Sequence, residues 1–154
     1  MASDPCNLGR FVAAQDPLFA QVCAELAAGR KTSHWMWFIF PQLRGLGSSP
    51  TAQAYALGSL GEARAYLAHP LLGERLRLCT RLVNAVQGRT VQEIFGYPDH
   101  LKFHSCMTLF AYAAGERTLA GQARAAGVFS EALLGYFAGE EDPLTRRLLL
   151  SGAC

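Results

Sequence analysis

Apolar residues recur along this chain at spacings of three and four, punctuated by glycine, proline and residues suited to starting helices. Leu18, Phe19, Val22, Cys23 and Leu26 form one such stripe, with Gln21 and Glu25 opposite. Asp16-Pro17 stands before it as N-cap and first helical residue, and Gly29 ends it. A shorter helix is expected over Leu8–Ala14. Ser59 and Glu62 read as a capping box for a helix that carries Leu60, Ala63 and Leu67 inward and stops at His69-Pro70. From Pro70 to Val86 the stripe is Leu72, Leu76, Cys79, Val83 and Val86, with Arg75, Arg77 and Arg81 on the outer face. Thr90 and Glu93 form a second capping box, for a short helix ending at Phe95-Gly96. Tyr97-Pro98-Asp99 turns into a helix striped by Phe103, Cys106, Met107 and Phe110 and closed by Gly115. A looser segment, Glu116–Gly127, connects to a helix over Val128–Phe137, and Asp142-Pro143 opens a last helix through Leu150.

One stretch breaks the pattern. Trp35–Phe40 is apolar at every position, so periodicity does not decide between helix and strand, and Pro41 limits how far a helix could run. A short helix or turn through the core is favoured, because the rest of the chain offers no partner strand. It leaves through a Gly/Ser loop, after which Thr51–Leu57 reads as helical. The expectation is an all-α fold of seven or eight helices around one core, without a sheet. Residues 1–154 are read as one helical domain, with 1–7 a flexible N-terminus.

Composition narrows the class of molecule. A hydrophobic fraction of 51% over 154 residues is enough for a core without staples. Five scattered cysteines with no CxxC pair suit neither a disulfide framework nor a structural zinc site. The opening MASDPCNLGR has no signal-peptide pattern, and no apolar run approaches the roughly 20 residues of a membrane span. A cytoplasmic protein without membrane association is expected. The net charge of +2 is too small to imply a nucleic-acid surface.

Candidate chemistry gathers around the apolar stretch. Lys31 and His34 are three residues apart, so on a helical turn they share a side. Beside Trp35 and Trp37 they suit an anionic, planar ligand: charge for a phosphate, rings for stacking. Gln42 and Tyr55 would add hydrogen bonds. The loop Gly45-Leu46-Gly47-Ser48-Ser49 has neither the dinucleotide fingerprint nor P-loop spacing. The plain alternative for the aromatics is core.

Asp99, Lys102 and Ser105 step by three along one helix, beside its apolar stripe. Asp99 suits a helix N-terminus, and Lys102 could complete an anion site with Lys31. His100 and His104 have i,i+4 spacing without an HExxH motif, and no metal or cofactor is expected. His69 reads as a helix C-terminal residue bonded to the last carbonyls, with catalytic duty as its other reading. If there is a reaction, His34 or His69 is the acid–base candidate.

The runs GRKTSHWMWFIFPQLRGLGSSP, YALGSLGEARAYLAHPLLGERL and FGYPDHLKFHSCMTLF closely resemble the bacterial domain-of-unknown-function family numbered 1810, over Phe11 to about Leu149. That family is sometimes mislabelled as calpastatin, a disordered inhibitor to which these residues show no kinship. The resemblance implies a mainly helical single domain and no established activity. Its pattern falls on Lys31, His34, Trp35, Trp37, Pro41, Gln42, Gly45, Tyr55, Glu62, His69, Asp99, Lys102, Ser105 and Thr108, with Cys106 where a second serine is expected. The leading expectation is a pocket for a small anionic, nucleotide-like ligand. The alternatives are a protein-interaction module using the Trp-rich segment, its partner unknown, and, third, a weak nucleic-acid binder.

Overall fold

A computed structural model describes residues 3–118 and 127–151. The centre of the fold is its fifteen-residue helix Asp99–Ala113, in which every residue from Ser105 to Tyr112 is buried. A helix buried all round needs neighbours on every side. In chain order the helices are α1 Gly9–Gln15, α2 Phe19–Ala27, α3 Met36–Ile39, α4 Pro50–Ala54, α5 Leu60–Ala68, α6 Leu72–Asn84, α7 Val91–Phe95, α8 Asp99–Ala113, α9 Val128–Phe137 and α10 Pro143–Leu150. α5, α7, α9 and α10 pack against α8, and α6 packs on α2, α5 and α9.

The class is all-α, and the ten helices among the described residues exceed the seven or eight expected. The excess comes from one-turn pieces such as α3 and α4, too short to show a stripe. No strand occurs among these residues; Leu43 and Leu57 form one isolated parallel bridge. Leu57 thus lies outside the expected Thr51–Leu57 helix, which ends at Ala54. No described helix is long and apolar enough to cross a membrane. Most of the expected Glu116–Gly127 connection, residues 119–126, lies outside the described residues.

Side-chain caps set the starts of α4, α5, α7 and α10. Thr90 and Glu93 make a full capping box, and Asp142 caps α10 through the Thr145 N–H with Pro143 in the first turn. Ser59 caps α5, but Glu62 reaches the N–H of Gly58 rather than that of Ser59. The first Asp-Pro works differently from the second. Asp16 closes α1 through its backbone N–H, and its carboxylate pairs with Arg75 at 2.8 Å. Arg75 is therefore turned toward α1 as well as lying over the Phe19 ring. Within the stretch expected to be a flexible N-terminus, Asp4 accepts from the N–H groups of Leu8 and Gly9.

His69 also differs from expectation. Its backbone N–H closes α5, but its side-chain Nδ1 accepts from the N–H groups of Leu71 and Leu72, capping the start of α6. One residue thus ends a helix and begins the next. Just beyond, Gly73 lies against the backbone of α5, where an added Cβ would meet the Leu67 carbonyl oxygen inside van der Waals contact.

Periodicity puts Glu25 opposite the apolar stripe, yet it is buried, 8% exposed. It stands seven residues after Leu18, only about 20° round the helix from it, and so borders the stripe. Its Oε1 accepts from Thr32 N–H, Ser33 N–H and Trp35 Nε1–H at 2.7, 3.1 and 3.0 Å. Its Oε2 accepts from Ser33 Oγ at 2.7 Å and Gln21 Nε2 at 3.0 Å. Burial opposes ionisation, but these donors outweigh it and hold the carboxyl at about 2.

Two predictions follow from this packing. Gly73→Ala should cost about 2–3 kcal/mol, since the obstacle is backbone, and a urea midpoint lowered at unchanged slope would measure it. Glu25 ionises more readily folded than unfolded, so its contribution is complete above the ordinary value of 4.5 and fades as pH falls toward 2. The stake is on the order of 3 kcal/mol. Unfolding of the wild type and Glu25→Gln across pH 7 to 2 should show a stability gap that narrows on acidification; a constant gap would count against this role.

Candidate functional site

The Glu25 carboxylate fixes the path of residues 32–35, and the Lys31 N–H donates to the Ile94 carbonyl at 2.7 Å. Lys31 is therefore held at both ends of its own peptide neighbourhood. Its ammonium lies 2.8 Å from Asp99 Oδ2 and 5.1 Å from the centre of the Trp35 ring. Asp99 is the first residue of α8, where the helix dipole favours an anion. One turn on, Lys102 places its ammonium 3.3 Å from Asp99 Oδ1 and 4.7 Å from the centre of the Trp37 ring.

Two lysines thus share one carboxylate, each over a different tryptophan. They are not equivalent. The Lys31 side chain is 8% exposed and makes the shorter contact, whereas that of Lys102 is 25% exposed. Lys31 is consumed by the fold, and Lys102 keeps donor capacity toward solvent.

Lys102 also stands where two depressions meet. One, of about 440 Å³, is lined by Trp37, Gln42, Leu46, Lys102 and the loop residues Gly47, Ser48 and Ser49. The other, of about 310 Å³, is lined by Gln42, Leu46, Pro98, Leu101, Lys102, Ser105, Asp142 and Leu144. Gln42, Leu46 and Lys102 border both. Deeper in, Ser105 Oγ donates to Asp142 Oδ2 at 3.0 Å, so α8 and α10 are tied together at the floor of the smaller depression.

The sequence candidates therefore divide. Lys31, Asp99 and Lys102 meet in one ion-pair cluster, and Trp37, Gln42 and Ser105 line the adjoining depressions. Trp35 is wholly buried with its indole N–H on Glu25, which makes it a support beneath Lys31. Tyr55 packs its ring against Phe11 and Phe38, and it lines neither depression. His34 is exposed and His69 is occupied as a cap; neither lines the depressions. His100 and His104 meet different carbonyls, of Gly96 and Glu140, and no group of three metal-ligating side chains occurs among the described residues.

Asp142, Leu101 and Leu144 were not singled out as site residues from the sequence. Asp142 was legible only as a helix start. Leu101 and Leu144 stand off the apolar stripes, 48% and 55% exposed, and that position off the stripe was their one signal.

No curated protein shows a significant match to this chain. Among solved structures, the crystal structure of the conserved hypothetical protein Rv1873 from Mycobacterium tuberculosis is similar at 56% identity, with a TM-score of 0.86. The match covers 96% of this chain and 99% of that one. The family described as "Protein of unknown function (DUF1810)" matches residues 5–149. The chain belongs to that DUF1810 family.

Proposed function

We propose that this is a cytoplasmic domain that binds a small ligand through an anionic group at Lys102, beside the face of Trp37 and the amide of Gln42. The observation that carries the reading is the inequality of the two lysines. Asp99 is spent chiefly on the nearly sealed Lys31, which leaves Lys102 as the accessible cation where two depressions meet. A half-buried cation beside a ring and a mixed polar and apolar wall is the composition expected of a small-molecule site. Among the described residues Cys6, Cys23, Cys79 and Cys106 are free, in keeping with a reducing compartment. The interaction-module reading has less to work with, because Trp35, Phe38 and Phe40 are buried and only Trp37 of the aromatic run is partly exposed.

A thermal-shift screen across nucleotides, sugar phosphates, ADP-ribose derivatives and organic acids tests the proposal. A ligand at a hundred times its dissociation constant adds about 2.7 kcal/mol, or roughly 5–10 °C for a domain of this size. Lys102→Ala should abolish the shift while leaving the unliganded melting temperature within about 2 °C, because Asp99 keeps its closer partner Lys31. No shift with any compound at millimolar concentration would overturn it.

Asp99→Asn gives a second test with opposed signs. Removing the shared anion leaves Lys31 buried without its counterion, at a cost of about 3 kcal/mol. The same change frees both lysines, so affinity for an anionic ligand should rise severalfold even as the fold weakens. Equal losses in stability and affinity would mean that Asp99 only shapes the site.

A further inference from the structure

We infer that the smaller depression, between α8 and α10, accepts a zwitterionic amino acid with an apolar side chain, its carboxylate on Lys102 and its ammonium on Asp142. This rests on the anion-binding role proposed for Lys102 and adds the opposite pole.

The charge pattern points away from a polyanion. Asp142 accepts from Ser105 Oγ at 3.0 Å, Thr145 N–H at 3.1 Å and Thr145 Oγ1 at 2.6 Å, all on Oδ2. Oδ1 thus retains acceptor capacity, and no cation pairs with Asp142 among the described residues. The N-terminus of α10 offsets only about half a charge, leaving Asp142 the negative end of the hollow. Of the residues lining the hollow only Lys102 and Asp142 carry charge, one of each sign. A polyphosphate gathers several cations, which this site lacks. A ligand carrying one charge of each sign on neighbouring groups has a partner for each in Lys102 and Asp142.

Size and wall complete the identification. About 310 Å³ is near the lower limit of small-molecule pockets, suited to one amino acid rather than a nucleotide. Beside the two charged residues the wall is Leu46, Pro98, Leu101 and Leu144. Leu101 and Leu144 are largely exposed, and an apolar side chain lying across them would remove that surface from water.

Calorimetric titration of the full chain with four probes tests this: L-phenylalanine, its N-acetyl derivative, its carboxamide, and ATP. L-phenylalanine should bind at least about tenfold more tightly than either blocked analogue, one lost charge contact being worth that much. Asp142→Asn keeps the helix cap, since asparagine caps as well as aspartate, but removes the charge. It should weaken L-phenylalanine about tenfold and leave the N-acetyl derivative unchanged, a difference that a loss of folding would not produce. If the N-acetyl derivative binds as tightly as the free amino acid, the ammonium subsite is refuted while the anion site at Lys102 stands. Tighter binding of ATP than of L-phenylalanine would refute the zwitterion in favour of a polyanion. Binding by none of the four refutes this inference even where the broader screen finds another anion.

Discussion

The candidate site depends on a buried carboxylate, Glu25, that pairs with no cation among the described residues. An anion inside a protein ordinarily requires a counterion, because its desolvation is otherwise uncompensated. Glu25 substitutes five neutral donors, three of them on Thr32 and Ser33 and the others on Gln21 and Trp35. Dispersing the stabilisation over so many donors has a structural consequence. The turn after α2 cannot relax without stranding several polar groups at once, including the indole of the wholly buried Trp35. Lys31 is the residue immediately before that turn. Its position over Trp35, and hence its hold on Asp99, is inherited from Glu25.

Much of the fold was legible in the sequence, for identifiable reasons. The long α6 and α8 declared themselves through apolar spacing, and Thr90, Glu93, Asp142 and Pro143 through cap chemistry. Errors arose where a residue type has two equivalent uses. Asp-Pro begins a helix at Asp142, but at Asp16 the same pair follows a helix and the carboxylate goes to a distant arginine. His69 ends its helix on the carbonyls as expected, through its backbone N–H, while its Nδ1 also accepts from the N–H groups that open the next helix, a second use local sequence does not encode. Glu25 was misread because a glutamate at the margin of a stripe defaults to solvent unless donors converge on it, and those donors come from the following loop.

The candidate site was legible in outline only. Lys31, Asp99 and Lys102 were nominated from helical spacing and polar character, and the structure brings them together. Their inequality was not legible, because it depends on how deeply each ammonium sits. The acid–base candidates stand apart from this cluster: His34 is exposed, and His69 is committed to a helix start. What lines the depressions is a cation, hydrogen-bonding groups and apolar surface, a composition that suits the ligand-binding reading proposed for them.

Asp142 in the wall of the hollow and Asp99, the partner of Lys102, share a further property. Asp99 is the first residue of α8 and Asp142 caps α10, so each occupies a place that helix formation alone would explain. A structural requirement of this kind fixes the position of an acid without fixing what its remaining oxygen does. At Asp99 both oxygens are taken by lysines, whereas at Asp142 the three donors crowd onto one. The same local rule thus yields one satisfied acid and one with an oxygen to spare, and that asymmetry gives the hollow its direction. Helix starts set the charges; side-chain partners decide which of them remain available to a ligand.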